Sequence, residues 1–195
     1  MAFVAFLDAN VLFPAVLRDV LLSLAEAGVY QIRWSPDILD EMERNLVKKA
    51  RAQSRTAATG GVRYLRETME LAFPDAMVIK QAYQPLIPVM PVNEKDRHVL
   101  AAAIVGRADV LVTLNIGHFP LEACNIYGID VQTPDTFLVH QFALVPRNFI
   151  RILTDLSHER KPPMDTPQKI LSALQLHAPT FCEMALAKLR EETNT

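Results

Sequence analysis

The chain has 195 residues, of which half are apolar and 22% are charged. This composition is that of an ordinary globular protein and excludes a disordered or fibrous chain. The length fits one main domain with an appendage better than two full domains, since domains usually have about 100 to 150 residues. The formal charge of −2 gives no overall attraction to nucleic acid, so such binding requires a local patch or bound cations.

Cysteine usage and hydropathy together predict a cytoplasmic protein. Cys124 and Cys182 lie far apart in sequence and form no CxxC pair, which predicts reduced, buried residues rather than a disulfide. The apolar run from Ala2 to Leu7 is too short for a signal sequence and lacks a basic region before it. Nothing later approaches the roughly 20 apolar residues that are needed to span a bilayer. We therefore expect a protein that is neither secreted nor membrane-spanning.

The first 142 residues alternate predicted strands and helices. Short apolar or β-branched runs predict strands at residues 2–7, 30–34, 109–113 and 129–131. Apolar residues at helical spacing predict helices at residues 16–28, 36–51, 61–73, 94–106, 120–126 and from Pro134 onward. The stretch LIPVMPV (86–92) is interrupted by proline, which predicts an edge strand or a loop. The alternation predicts an α/β fold with a parallel sheet that helices cover on both faces.

Local signals mark several of the predicted helix ends. Ser35 and Pro36 are typical of an N-cap and a first helical residue, and Gly28 is typical of the residue after a helix. The run Thr59-Gly60-Gly61 indicates the connection into the third helix. From Val145 onward strand signals stop, and three amphipathic helices are predicted at 149–156, 167–176 and 179–189. We therefore expect a main domain at 1–142 and a helical extension at 145–195.

Three carboxylates from different elements are predicted to share one cleft. Asp8 follows the first strand directly, and ligands of parallel sheets bind outside the carboxyl ends of the strands. Glu41 lies in the helix after Ser35, and Asp96 lies in the first turn of the helix at 94–106. Such a cluster suits Mg²⁺ or Mn²⁺, whose charge keeps the carboxylates ionised. A metal there can activate a water and neutralise the charge that develops on a phosphate.

The chain contains, in this order, the segments FLDANVLFPAVLRD (6–19), SPDILDEMERNL (35–46), NEKDRHVLAAAI (93–104) and LVTLNIGHFP (111–120). In order and spacing, these four segments resemble the PIN domain, a ribonuclease fold found in many toxins of bacterial toxin–antitoxin pairs, the VapC-like toxins. The resemblance covers about residues 1–142. It implies a Rossmann-like central parallel sheet flanked by helices, and a metal-dependent ribonuclease.

Carried over residue by residue, the resemblance implies that Asp8, Glu41 and Asp96 are the catalytic, metal-binding acids, with Asn10 as a supporting polar group. Glu41 matches the helix motif better than its neighbours Asp40 and Glu43. Family members commonly carry a further acid in the last segment. This chain has Asn115 and His118 at those positions, so we expect one metal where others hold two. Thr113, Asn115 and His118 then act as supporting groups.

Plainer interpretations remain open for these residues. Asp8 could cap a strand end, Asp96 could be an ordinary charge at a helix N-terminus, and Asn10 could form an Asx turn. Glu41 could be an exposed helix charge paired with Arg44 three residues on. A basic cluster could guide an RNA backbone toward the acids or could be a solvated helix face: Arg44, Lys48, Lys49, Arg51, Arg55, Arg63 and Arg66.

The leading hypothesis is a Mg²⁺- or Mn²⁺-dependent endoribonuclease that acts as the toxin of a toxin–antitoxin module. Its expected partners are an RNA substrate, an antitoxin protein and a second copy of the chain in a homodimer, with no membrane. The alternative is a PIN-like scaffold that binds RNA or a protein without cleavage, which the missing fourth acid favours. A third interpretation takes Asp8 as a phosphotransfer aspartate, but that chemistry usually needs a lysine and a hydroxyl at later strand ends, and only Thr113 is present.

Overall fold

The computed structural model describes residues 3–53, 58–160 and 162–193. One parallel sheet has the strand order β2-β1-β3-β4. Its strands are β1 (Val4–Leu7), β2 (Gln31–Arg33), β3 (Val110–Val112) and β4 (Asp130–Gln132). The predicted α/β class with a parallel sheet flanked by helices is confirmed, and each predicted strand has its counterpart. The strand β1 is central, and its consecutive residues Ala5, Phe6 and Leu7 are all fully buried, so both faces of the strand are covered, which accounts for its continuous apolar sequence.

Helices connect the strands and make up the C-terminal part of the described chain. They are α1 (Ala9–Leu12), α2 (Ala15–Glu26), α3 (Pro36–Ala52), α4 (Ala58–Ala72), α5 (Lys80–Tyr83), α6 (Arg97–Val105), α7 (Leu121–Asn125), α8 (Pro134–Leu144), α9 (Pro146–His158), α10 (Pro167–Leu174) and α11 (Pro179–Thr193). Short 3-10 helices occur at Gln84–Val89, Glu94–Asp96 and Ile116–His118. No helix within the described ranges is long and apolar enough to cross a membrane.

The predicted signals at the ends of α2 and α3 are confirmed. The Ser35 hydroxyl accepts a hydrogen bond from the Ile38 N–H at 3.3 Å, and Pro36 is the first residue of α3. Gly28 follows α2 with a φ of 74°, a left-handed conformation that glycine adopts without steric cost. Cys124 and Cys182 are both free and buried, as expected.

Two local predictions were wrong. The stretch at 86–92 forms no edge strand and is a loop only at residues 90–92, because Gln84–Val89 forms a 3-10 helix. Pro85 and Pro88 fix φ near the helical value and lack the N–H that a sheet ladder requires. The run Thr59-Gly60-Gly61 does not precede a helix but lies inside α4. Burial of Val62 and Met69 on that helix outweighs the cost of about 1 kcal/mol for each internal glycine.

The chain forms two compact units. The first comprises Met1–Phe13 and Gln31–Val131, and the second comprises Pro14–Tyr30 and Gln132–Thr195. In the second unit α2 contacts α9 and α10, so this early helix packs with the C-terminal helices. The division predicted from the sequence, with a domain at 1–142 and an extension at 145–195, stays a prediction.

Each unit has its own core of large side chains. In the first unit the fully buried aromatic residues are Phe6, Trp34, Tyr83 and Phe119. In the second unit the rings of Phe142, Phe149 and Phe181 contact one another with centroids 5.0–5.8 Å apart. Aromatic contacts of this kind add about 0.5–1.5 kcal/mol each beyond the area they bury.

Gly106 provides a test of packing in the first unit. A Cβ at this position would lie 2.9 Å from Val78 Cγ2 and 3.1 Å from the Ala102 carbonyl oxygen. We therefore expect Gly106→Ala to lower the free energy of unfolding by about 1–3 kcal/mol, measured by urea denaturation. The matched control is Gly61→Ala, where a Cβ meets nothing within 4 Å and should stabilise α4 by up to about 1 kcal/mol. Equal effects at both positions would contradict the close packing at Gly106.

Candidate functional site

Asp8 lies at the carboxyl edge of the sheet, where β1 meets β3. The register pairs Leu7 with Val112, and the Asp8 N–H donates to the Val112 carbonyl at 3.1 Å. This pairing puts Asp8 beside Thr113, the residue that follows β3. Asp8 is 7% exposed and Thr113 is fully buried. The sequence therefore folds into a parallel pair that brings a carboxylate and a hydroxyl together at the place where ligands of such sheets bind.

The Asp8 carboxylate is oriented by hydrogen bonds from its neighbours. Oδ1 accepts from the Ala9 N–H at 2.7 Å, so Asp8 caps α1. Oδ2 accepts from Asn10 Nδ2 at 2.6 Å and from the Thr113 hydroxyl at 2.7 Å. Asp8 can therefore cap α1 and also take part in the site. Its Oδ1 accepts the capping hydrogen bond, and its Oδ2 accepts the hydrogen bonds from Asn10 and Thr113.

Burial raises the pKa of the Asp8 carboxyl above its usual value. The hydrogen bonds from Thr113 and Ala9 oppose this shift, while the negative charges of Glu41 and Asp96 add to it. Both of these acids thus lie close enough to Asp8 to repel its charge. A cation among them would relieve that repulsion.

Asp96 lies at the end of the 3-10 turn, at the N-cap position just before α6 rather than within its first turn, and its side chain forms no capping hydrogen bond. Its carboxylate contacts His118, with Nδ1 of the imidazole 3.3 Å from Oδ2. The Asp96 side chain is 19% exposed and that of His118 is 49% exposed. The acid thus lies at the rim of the site with the histidine on its solvent side.

The three neighbouring acids of α3 have different surroundings. Arg66 of α4 donates to Asp40 at 2.5 Å and to Glu43 at 3.2 Å, so an arginine holds both of these carboxylates. Glu41 forms no ion pair within the described residues, either with Arg44 or with another cation, and it is half-buried. Glu41, the acid predicted from the sequence to belong to the site, is therefore the unpaired one of the three in the described part of the chain, and its negative charge acts on Asp8.

The remaining predicted site residues surround Asp8 unevenly. Asn10 bridges the two strand ends, since its Nδ2 reaches Asp8 and Thr113 while its Oδ1 accepts from the Leu114 N–H at 3.0 Å. The Asn10 side chain thus forms hydrogen bonds beyond those of a local Asx turn. Asn115 is exposed, and its backbone N–H donates to the Thr113 hydroxyl at 3.0 Å. The Asn115 backbone thereby helps to orient the Thr113 hydroxyl.

One polar cluster on the same helix as Glu41 was absent from the sequence predictions. Asp37 accepts from Lys80 and from the Tyr83 hydroxyl, both at 2.5 Å. Burial alone would raise the pKa of Asp37, but these two bonds hold it below its usual value. Asp37 precedes Glu41 by one turn, so the cluster fixes the start of α3. The only sequence signal was an acid in the first helical turn, because Lys80 and Tyr83 lie in a segment that had not been predicted as helix.

The donor set of the site suits a hydrated hard cation. Asp8, Glu41 and Asp96 offer carboxylate oxygens, which are ligands that Mg²⁺ and Mn²⁺ prefer. No group of three or more His, Cys, Asp or Glu side chains in the described part of the chain converges as a ready-made metal site. Mg²⁺ usually keeps several waters and binds through one or two carboxylates, so full convergence is not a requirement. The metal assignment of these acids stays a prediction.

The sequence profile of the PIN domain family matches residues 4–117, which is more than half of the chain. The chain belongs to the PIN domain family. Over 103 residues the chain is 39% identical to the protein named "Putative ribonuclease VapC50" of Mycobacterium tuberculosis. The alignment covers 53% of this chain and 61% of that relative, so it spans less than two thirds of the relative. No solved structure is significantly similar to the chain.

The matched region includes Asp8, Glu41, Asp96 and Thr113, and it ends between Asn115 and His118. As a PIN domain the chain departs from the resemblance at these last two positions, because neither carries an acid. The described structure has an exposed amide at one and, at the other, an imidazole that contacts Asp96. We call Asn115 and His118 the fourth corner of the site. In this PIN domain the fourth corner is therefore polar but holds no carboxylate.

Replacing Thr113 tests how strongly this PIN domain supports the buried carboxylate. In Thr113→Val the pKa of Asp8 should rise further, because the lost hydroxyl stabilises the charged form. We expect the free energy of unfolding to fall by about 1.5–3 kcal/mol above that pKa, the usual contribution of a hydrogen bond to a charged group. Thr113→Ser keeps the hydroxyl and should change both quantities little. Carboxyl NMR titration and urea denaturation of the metal-free protein measure them.

The pH dependence follows from the raised pKa. Because the folded-state pKa of Asp8 lies above its unfolded value, the stability that this group contributes is present at acidic pH and is lost as the pH rises through the folded pKa. The difference in free energy of unfolding between Thr113→Val and wild type should accordingly shrink as the pH falls through the folded-state pKa of Asp8. A difference that is independent of pH would show that the hydroxyl does not stabilise the Asp8 charge.

Proposed function

We propose that this chain is an endoribonuclease that depends on a divalent metal, with Asp8, Glu41 and Asp96 as the residues that hold the ion. The observation that carries the proposal is the buried Asp8 carboxylate, which Asn10 and Thr113 orient at the sheet edge within charge range of the other two acids. A bound Mg²⁺ or Mn²⁺ would supply an activated water and neutralise the charge that develops on the scissile phosphate.

The residues of the chain have distinct parts in this proposal. Thr113 and Asn10 keep the Asp8 carboxylate fixed, so little reorganisation is needed when a ligand binds. Asp96 holds His118 at the exposed rim, where its imidazole would contact a phosphate or carry a proton to the leaving oxygen. Asn115, exposed beside Thr113, would contact the ion through water. With no fourth carboxylate, the site would bind one metal rather than two.

We further propose that the protein acts in the cytoplasm as the toxin of a toxin–antitoxin module. The PIN domain and the 39% identity to a relative named as a putative ribonuclease support this role. Its partners would be an RNA substrate and an antitoxin protein. Formation of a homodimer stays a prediction from the family resemblance.

The acids of α3 allow a test with matched variants. We expect Glu41→Gln to lower kcat/KM for RNA cleavage by about 100-fold or more, because metal-assisted stabilisation of phosphate charge contributes several kcal/mol. Asp8→Asn should have at least as large an effect. Glu43→Gln, two residues away but paired with Arg66, should stay within about 3-fold of wild type, since a partly exposed ion pair contributes about 1 kcal/mol or less to stability.

The assay uses the full chain, a labelled oligoribonucleotide and added Mg²⁺ or Mn²⁺. A chelator should abolish cleavage by the wild type, and excess metal should restore it. Cleavage that persists with chelator, or that is equal in Asp8→Asn and wild type, would overturn the proposal. An equal loss of RNA cleavage in Glu41→Gln and Glu43→Gln would show that cleavage depends on the overall charge or stability of α3 rather than on the Glu41 carboxylate.

A second candidate function is a PIN-like scaffold that binds RNA or a protein without cutting. The observation that favours it is the fourth corner of the site, where Asn115 and His118 take the place of an acid. It predicts RNA binding by the wild type with no metal-dependent turnover. Cleavage that disappears in Asp8→Asn, Glu41→Gln and Asp96→Asn would exclude it.

A further inference from the structure

The face of α3 that carries Glu41 continues toward the C-terminal end of the helix as a row of basic residues. Arg44, Lys48 and Arg51 are all exposed. At about 100° of rotation per residue, each of the three lies within about 80° of Glu41 around the helix axis. At 1.5 Å of rise per residue, they lie roughly 5, 10 and 15 Å beyond it. We call these three residues the basic face of α3.

The basic residues of this face differ from other members of the cluster seen in the sequence. Arg66 and Arg63 form ion pairs with carboxylates on α3 or α4. Lys49 lies on another side of the helix, with its ammonium group 5.2 Å from the centre of the Phe13 ring. Arg55 lies outside the described residues. Within the described residues, Arg44, Lys48 and Arg51 have no ion pair, so their charges face solvent.

The acids nearest to the basic face are already held in ion pairs with other residues. Asp40 and Glu43 flank Arg44 along the helix, and both bind Arg66. Asp37, on the same side of α3 as the basic face, binds Lys80. The basic face therefore carries three positive charges that have no ion-pair partner within the described residues, although the whole chain has a formal charge of −2. A ladder of separated cations on a rigid helix suits a partner with regularly spaced negative charges.

We propose that the basic face of α3 binds the backbone of single-stranded RNA beside the acidic site, and this inference rests on the proposed ribonuclease function. Each of Arg44, Lys48 and Arg51 contacts a phosphate of the strand, and Glu41 marks the end of the row that meets the reacting phosphate. The contacts are to the backbone, so they give affinity and direction without base preference.

The test measures RNA binding directly and does not depend on cleavage. A labelled oligoribonucleotide of about 12 nucleotides is titrated with the full chain in the presence of a chelator, at several salt concentrations. We expect the triple variant R44Q/K48Q/R51Q to bind about 10- to 100-fold more weakly at low salt. The slope of log K against log salt should fall by about 2, since each neutralised phosphate of a single strand contributes about 0.7.

The matched control is Arg63→Gln, which removes an exposed arginine of the neighbouring helix that already pairs with Glu67. It should leave both affinity and salt slope unchanged. Urea denaturation should show both variants as stable as wild type, because Gln and the basic residues have similar helix propensities. An unchanged salt slope in the triple variant, or an equal fall in Arg63→Gln, overturns the assignment of this face.

Two further outcomes separate this inference from its alternatives. Polyglutamate that competes as well as RNA at equal charge would assign the face to an acidic protein and would overturn the RNA assignment. Wild-type protein that binds RNA through this face but cleaves none with Mg²⁺ or Mn²⁺ would leave the inference standing while the proposed nuclease function fails. Loss of cleavage in acid variants that still bind RNA, together with weaker RNA binding in the triple variant, supports both.

Discussion

A buried carboxylate at the end of the central strand places the main constraint on the first unit. Asp8 follows β1 directly and is 7% exposed, so its charge has little access to water. The hydroxyl of Thr113 reaches it only because β1 and β3 are parallel neighbours in register, whereas the amide of Asn10 reaches it from two residues along the chain. An unsupported charge in this position would neutralise itself by a shift in pKa. The pairing of the two strands and the support of the carboxylate are thus one structural requirement.

The surroundings of α3 show how a helix rich in charge can present one acid and one basic face. Arg66 binds Asp40 and Glu43 from α4, and the α5 residues Lys80 and Tyr83 bind Asp37. These contacts remove three carboxylates from competition with Glu41. The basic residues Arg44, Lys48 and Arg51 farther along α3 form no ion pair within the described residues. The same ion pairs therefore support both the proposed metal site and the proposed RNA surface.

The fourth corner distinguishes this chain from the pattern that its family resemblance implies. His118 contacts Asp96 through Nδ1, and the Asn115 backbone contributes a hydrogen bond to Thr113. Neither residue can add the charge of another carboxylate to the site. Fewer negative charges favour a single bound cation, and they reduce the repulsion that the buried Asp8 experiences. The departure is consistent with a site built around one ion, which is the form that the proposed function takes.

The sequence by itself determined the strands, most helices and the positions of the acids, because apolar periodicity, Ser35 and Gly28 act through local backbone preferences. It also predicted that Asp8 directly follows a buried strand of a parallel sheet. Only the tertiary structure decided that Arg66 binds Asp40 and Glu43 rather than leaving them free, because that contact joins helices 23 to 26 residues apart. It likewise decided that Gly60 and Gly61 are helical, that Gln84–Val89 winds as a 3-10 helix, and that α2 packs with the C-terminal helices. For the two glycines, burial of Val62 and Met69 outweighs a local preference of about 1 kcal/mol at each position. The contacts of Arg66 and of α2 join residues that are far apart in sequence, so a pattern of neighbouring residues does not reveal them.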